Sequence, residues 1–137
     1  KTVFVASLAF DNSKFLAKLL AARSKGVKVE LLLDRKSFKE GLAPKAGERV
    51  AKLKAAGAKV FPGSGKSHKR VFGVDGYPGV SHPKVLVVDS VVSFVGSPNS
   101  TNASLVNGEV SVKITDAVVA AQVYEQAWKE AQRVESY

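Results

Sequence analysis

The stretch SHPKVLVVDSVVSFVGSPNS, residues 81–100, decides the fold and carries most of the candidate chemistry. Polar or small residues stand in it at fixed positions, namely His82, Lys84, Asp89, Gly96, Ser97 and Asn99. The pattern is H-x-K, four residues, D, six residues, G-S-x-N, with mostly apolar residues between. The Val, Leu and Phe residues on both sides of Asp89-Ser90 predict two β-strands, over 80–88 and 91–95, joined by a turn.

The flanking sequence predicts alternating strands and helices. Ahead of the central stretch, strands are expected over residues 1–10, 27–33 and 58–61, with helices from Asp11-Asn12-Ser13 to Lys25 and over 48–56. Residues 62–81 predict a long loop. After it come a turn or short helix at 99–104, a strand over 108–114, and a helix that Asp116 caps and that runs through 134. This order predicts one α/β domain over residues 1–137.

The charge and the cysteine content of the chain limit the kinds of ligand and partner that it can bind. The 137 residues carry a formal net charge of +9, which favours polyanions such as nucleic acid or an acidic membrane surface. The chain has no cysteine, so disulfides and thiolate metal sites are excluded. It has no apolar run of the length that spans a bilayer.

The residue types in the central stretch suit phosphodiester chemistry. His82 and Lys84 are two residues apart on a predicted strand, so their side chains should share one face. This places a potential nucleophile beside a cation. Ser97 and Asn99 repeat the spacing and can donate hydrogen bonds to phosphate oxygens, while Gly96 allows a close approach of backbone.

The pattern resembles the HKD signature of the phospholipase D superfamily, a group of phosphodiesterases, and the chain is most similar to its small bacterial endonucleases. The resemblance implies an α/β fold in which a mixed β-sheet is flanked by helices on both faces. It also implies a helix before the first strand, which this sequence would lack. No metal or other cofactor is expected, and His68 and Asp75 form no recognisable ligand cluster.

The resemblance further implies roles for single residues. Because the family brings two motifs to one active site and this chain has one, a homodimer is expected. His82 of one subunit would form a phosphohistidine, and His82 of the other would act as the acid. Lys84, Ser97 and Asn99 would hold phosphate. Glu109 would orient a histidine, although a solvated position on the strand fits this residue equally well.

Other polar residues have weaker predictions. Asp89 is expected to be structural, because it lies in the turn and would point away from His82. A substrate lip and a solvated charge run are equally compatible with the basic residues of the long loop, Lys66, His68, Lys69 and Arg70. Asp34, Arg35 and Lys36 follow a strand end, where a helix cap or a surface role is expected and contact with substrate is the alternative.

Three functions are compatible with the sequence. The first is a metal-independent nuclease with little sequence specificity, acting on DNA or RNA. The second is a phospholipid hydrolase of the cardiolipin type, docking on anionic lipid. The third is a nucleic-acid-binding domain without catalysis.

Overall fold

The computed structural model describes residues 1–35, 45–63, 68–71, 74–77 and 80–131, and of residues 68–71 and 74–77 it describes the backbone. The described elements, in chain order, are β1 (Thr2–Ser7), α1 (Ser13–Ser24), β2 (Lys28–Asp34), α2 (Ala46–Ala55), β3 (Lys59–Gly63), β4 (His68–Val71), β5 (Val74–Tyr77), β6 (Val85–Val88), β7 (Val92–Gly96), a 3-10 turn (Ala103–Leu105), β8 (Ser111–Thr115) and α3 (Ala117–Ala131).

Six of these strands form one mixed sheet in the order β3-β2-β1-β6-β7-β8. Strands β1, β2 and β3 are parallel, as expected when helices connect them. Strand β6 pairs antiparallel to β1, and β6, β7 and β8 continue as an antiparallel meander. Because β6 runs against β1, the start of β6 lies at the same sheet edge as the carboxyl ends of the parallel strands.

Helices cover both faces of the sheet, so the predicted fold class is confirmed. Side chains alternate along β1, and Val5 points to one face while Phe4 and Ala6 point to the other. On the first face the core contains Val5, Leu31 and Leu33 together with Leu16 and Leu19 of α1 and Leu53 of α2. On the second face it contains Phe4, Ala6, Leu32 and Val87 together with Ala120 and Ala127 of α3.

The helix caps agree with the sequence. Asn12, one of the three predicted cap residues, accepts the Phe15 N–H at 2.9 Å and starts α1. Gly26 follows α1 with a φ of +77°, a conformation that favours glycine. Asp116 accepts the Val119 N–H at 2.9 Å and caps α3, as predicted. The predicted end of this helix at residue 134 lies outside the described residues.

The predicted long loop is the main correction to the fold. Residues 68–71 and 74–77 form an antiparallel hairpin, β4–β5, in which His68 pairs with Tyr77. The strands are short, and their sequences, HKRV and VDGY, do not show the sustained alternation of apolar and polar residues that predicts a strand. No helix in the described part of the chain is both long and apolar enough to cross a membrane.

Candidate active site

His82 lies at the sheet edge where β1 and β2 end, in an extended segment ahead of β6. The strand was predicted to begin at residue 80, but it begins at Val85. Pro83 explains the difference, because proline has no N–H to donate to the ladder. His82 is exposed to solvent, while the preceding Ser81 is buried. The histidine is therefore presented to solvent from a backbone that is anchored in the protein.

The expected neighbourhood of His82 and Lys84 is observed. The Lys84 ammonium Nζ lies 2.6 Å from Nδ1 and 2.9 Å from Nε2 of the imidazole. It also donates to the His82 carbonyl at 3.0 Å. A neutral imidazole has one acceptor nitrogen and an imidazolium has none, so this contact favours the neutral ring.

Burial and the charge of Lys84 also favour the neutral form of the His82 ring. Partial burial lowers the pKa of the His82 imidazole below its usual range, Lys84 lowers it further, and Asp34 opposes both. Burial also lowers the pKa of the Lys84 ammonium, which Glu109 opposes. At pH 7 the His82 ring is therefore mainly neutral and lies beside a cation.

Gly96 brings two strands together at the site. Its N–H donates to the Lys84 carbonyl at 3.2 Å, so it lies directly across from the lysine. A Cβ placed on Gly96 would collide with the Val110 carbonyl and would lie 2.6 Å from the Ser111 Cα. The sequence predicts a close approach of backbone at Gly96, and the backbone that approaches it is that of Val110 and Ser111.

Ser97 and Glu109 form a hydrogen-bonded pair beside Lys84. The Ser97 hydroxyl donates to Glu109 Oε2 and accepts the Val110 N–H at 3.0 Å. Among the residues that the structure describes, the hydrogen-bond partner of Glu109 is therefore Ser97, and His82 of the same chain is not its partner. The predicted contact between Glu109 and an imidazole stays a prediction, as does phosphate binding by Ser97.

Asn99 has an available side chain next to this pair. Its backbone N–H donates to Ser104 Oγ at 3.0 Å, which holds the loop in place. Its side-chain Oδ1 is buried and has no hydrogen-bond partner within the described part of the chain. Buried polar atoms are rarely left unpaired, so this amide is a candidate ligand contact.

A pocket of about 280 Å³ opens between Lys84 and Asn99. Its wall includes side chains from α1, β6 and β7, among them Phe15, Leu86 and Phe94. The loop after β7 closes one side, because the Ser100 carbonyl accepts the N–H groups of Asp11 and Asn12 at 2.9 and 3.1 Å. Lys84, Gly96 and Asn99 thus border a cleft that can accept part of a ligand.

Asp89 lies away from this site, as the sequence predicts. It occupies the turn between β6 and β7 with a φ of +52°, and Ser90 follows at +56°. Positive φ at both central residues is what a type I′ turn requires. Asp89 therefore follows the carboxyl end of β6, whereas His82 precedes its amino end.

The basic residues of the predicted substrate lip have a mixed outcome. Lys66 lies outside the described residues, and Lys36 does as well. His68, Lys69 and Arg70 belong to strand β4 of the hairpin and not to a loop. Their role as a substrate lip stays a prediction.

Asp34 is the residue whose importance the sequence interpretation missed. A helix cap or surface position was expected, but the residue is completely buried, and its Oδ2 accepts the Ser81 N–H at 2.5 Å. The available signal was its position directly after the apolar run of β2. An acid there lies at the carboxyl edge of the parallel strands, where binding sites commonly form.

The chain belongs to the family described as "Cardiolipin synthase, PLD-like domain", which it matches over residues 1–131. It is 26% identical over 128 residues to a protein named "Phospholipase D" from Rickettsia bellii, a match that covers 93% of this chain and 55% of that protein. The chain thus spans about half the length of the curated relatives it matches.

Solved structures share the fold. Nuc from Salmonella typhimurium, a phospholipase D family member, superimposes with a TM-score of 0.77 at 20% identity, covering 100% of this chain and 82% of Nuc. NucT from Helicobacter pylori superimposes with a TM-score of 0.78 at 21% identity, covering 99% and 82%. The predicted membership of the phospholipase D superfamily is confirmed, and the fold is that of its phosphodiesterases.

Proposed function

We propose that the chain is a metal-independent phosphodiesterase that cleaves nucleic acid through a phosphohistidine intermediate, as a homodimer. The observation that carries this proposal is the contact between the Lys84 ammonium and the imidazole of His82. It joins a nucleophile that is neutral at pH 7 to a cation that can bind a phosphate oxygen.

In the first step, a neutral nitrogen of His82 attacks phosphorus, and the bond from phosphorus to the leaving oxygen breaks. That oxygen takes a proton from His82 of the partner subunit, which would enter the step as an imidazolium because a Glu109 carboxylate beside it favours the protonated ring. In the second step, the same partner histidine accepts a proton from water as the water oxygen attacks the phosphohistidine. The N–P bond breaks, a phosphate monoester leaves, and both histidines return to their starting protonation states.

Lys84 and Asn99 would hold the phosphate oxygens during both steps. The Lys84 ammonium already lies against the imidazole, and it would shift to the phosphate when substrate enters. The Asn99 side chain borders the same pocket, and its Nδ2 amide would be the group that donates to a phosphate oxygen. Ser97 would donate to phosphate after releasing Glu109, and the freed Glu109 carboxylate would then orient an imidazole across the dimer.

Nucleic acid is favoured as the substrate because of charge. The net charge of +9 attracts a polyanionic backbone along its length, and binding through backbone charge carries little sequence information. We therefore expect weak sequence preference and strong dependence on salt concentration.

A phospholipid is the second candidate substrate. The family's description names cardiolipin synthase, and the relatives from Rickettsia carry the name "Phospholipase D". The same catalytic steps apply to a lipid phosphodiester, and the positive charge would then bind anionic headgroups.

An apolar stripe is a candidate surface for the homodimer, and its residues Val95 and Val112 point to the face of the sheet opposite to the one that carries the pocket. Val95 and Val112 are cross-strand partners on β7 and β8, and Val110 adjoins them and bonds to Ser97. The three valines are 38%, 56% and 74% exposed. A second subunit on this stripe would bury the valines.

The test is cleavage of a labelled single-stranded DNA oligonucleotide in excess EDTA. Wild type should cleave, and His82→Ala should lose at least about a thousandfold in rate, because both chemical steps need the imidazole. Lys113→Gln removes an exposed positive charge on β8 and serves as the control for charge alone. Cleavage by a folded His82→Ala protein would refute the proposal.

Mixing the two proteins tests the shared site. When excess His82→Ala subunits exchange with wild type, most wild-type subunits are in mixed dimers with one histidine, so the rate should fall. An unchanged rate despite demonstrated exchange would contradict the two-histidine mechanism. Hydrolysis of anionic phospholipid vesicles without oligonucleotide cleavage would favour the lipid function, and DNA retention without turnover would favour a binding domain.

A further inference from the structure

Asp34 is a buried acid in direct contact with the backbone that carries His82. It ends β2 and has no exposed surface, and Ser81, which donates its N–H to Asp34 Oδ2 at 2.5 Å, is 3% exposed. The two residues are 47 positions apart in sequence. A carboxylate that accepts a peptide N–H in a buried position forms one of the stronger hydrogen bonds in proteins.

The segment around His82 depends on few such contacts. Residues 80–84 have no regular secondary structure, so they lack the repeated bonds of a strand. On one side of His82 the Ser81 N–H is tied to Asp34, and on the other the Lys84 carbonyl accepts the Gly96 N–H at 3.2 Å. The imidazole thus projects from a short stretch of backbone anchored at both ends.

Asp34 also contributes to the charge around the imidazole. Among the residues that the structure describes, the Lys84 ammonium and the Asp34 carboxylate act on His82, with opposite effects on the pKa of the ring. Glu109 acts on Lys84 and bonds to Ser97. Among the described residues, Asp34 is therefore the acid with a direct electrostatic effect on His82.

We propose that Asp34 is a positioning residue that fixes the His82 backbone through Ser81 and balances the positive charge of Lys84 at the imidazole. This role deepens the proposed phosphodiesterase function and rests on it. As His82 attacks phosphorus, its ring gains positive charge beside Lys84, and the fixed negative charge of Asp34 offsets that repulsion.

The first test is titration of the His82 ring by NMR in the full chain without substrate. The resonance is identified by its loss in His82→Gln. Asp34→Asn keeps a carbonyl oxygen for the Ser81 N–H but removes the charge, so the pKa of His82 should fall. An unchanged pKa in a folded Asp34→Asn protein would overturn the electrostatic part of the proposal.

Glu30→Gln is the matched control. Glu30 is a carboxylate on the same strand, partly buried and bonded to Tyr124 at 3.2 Å, and it is not among the groups that act on His82. Its substitution should leave the His82 pKa unchanged. An equal fall of the pKa in both variants would mean that the effect is not specific to Asp34, and would overturn the proposal.

The second test is amide hydrogen exchange, which needs no substitution. In the wild-type protein the Ser81 amide proton should exchange slowly with solvent, because its bond to Asp34 is buried. Exchange as fast as that of an exposed amide would overturn the anchoring part of the proposal. This measurement remains valid even if Asp34 variants do not fold.

Activity gives the third reading. Asp34→Ala removes both bond and charge and should reduce kcat at least about tenfold with a smaller change in KM, because the reacting group is displaced. Asp34→Asn should retain more of kcat than Asp34→Ala. Equal kcat for wild type and Asp34→Ala would overturn the proposal. If the wild type cleaves no phosphodiester, the proposed function fails, while the titration and exchange still decide whether Asp34 positions His82.

Discussion

Asp89 and Thr2 exchange two hydrogen bonds at the end of β6 that lies opposite to His82. The Asp89 carboxylate accepts the Thr2 N–H at 2.8 Å, and the Asp89 N–H donates to the Thr2 carbonyl at 2.8 Å. The motif aspartate thereby ties the β6–β7 turn to the start of β1. Its place in the pattern is explained by the sheet and does not require a role in the chemistry.

Replacing Asp89 should therefore reduce stability and spare the pH dependence of activity. Asp89→Ala loses the side-chain bond to Thr2 and places alanine at positive φ, so the free energy of unfolding should fall by about 1–2 kcal/mol. Urea unfolding measures this change. Asp89→Asn tolerates the same φ and keeps an acceptor oxygen, and it should lose much less. A change in the pH profile of either variant would contradict the structural role.

Gly96 should not tolerate even a methyl group. Gly96→Ala would force β8 away from β7, because the added Cβ would meet the Val110 carbonyl and Ser111 Cα. We expect a loss of about 1–3 kcal/mol in unfolding free energy and displacement of the Ser97–Glu109 pair. Gly108→Ala is the control, since its Cβ would have no neighbour within 4 Å. Equal stability of the two variants would show that the strands separate easily.

The pH dependence of cleavage should reflect the depressed pKa of His82. The nucleophile is the neutral ring, so the rate falls as pH drops through that pKa. The fall in wild type should be centred below the ordinary histidine value of about 6.5. Lys84→Gln removes a cation that lowers the pKa of His82, so the fall should move to higher pH. A rate profile that is lower but unshifted would mean that Lys84 binds phosphate without tuning the histidine.

If the subunits meet through the apolar stripe, a charged side chain placed in it should separate them. Val112→Asp places a carboxylate in the stripe and should convert the protein to monomers in light scattering, with loss of cleavage. Val118→Asp is the matched control, because Val118 is 67% exposed but lies on α3, at the other end of β8. If both variants stay dimeric, the subunits meet through a different surface.

The spacing of apolar residues in the sequence was sufficient to predict that helices pack on both faces of a sheet. Leu16 and Leu19 of α1 and the alternating residues of β1 pack as their spacing predicts. The boundaries were less predictable where single residues intervene. Pro83 delays β6, and the charged residues of His68–Val71 conceal a strand.

The candidate site could be predicted only where contacts are local in sequence. His82 and Lys84 are two residues apart, so strand geometry alone places them together. The pairs Ser97–Glu109 and Asp34–Ser81 depend on the register of β7 with β8 and on where β2 ends. Such contacts are set by three-dimensional packing, which residue spacing within one element does not describe.

The antiparallel register of β6 and β7 has a consequence for how this sequence can vary. Val85 pairs with Val95 and Val88 with Val92, so the number of residues in the turn determines which residue faces Lys84. One inserted residue between Asp89 and Gly96 would place Val95 opposite Lys84 and would reverse the side of the sheet to which each following side chain points. The number of residues between Asp89 and Gly96 is thus fixed by the length of the β6–β7 hairpin. Within this hairpin, substitutions should be far easier to accommodate than insertions or deletions.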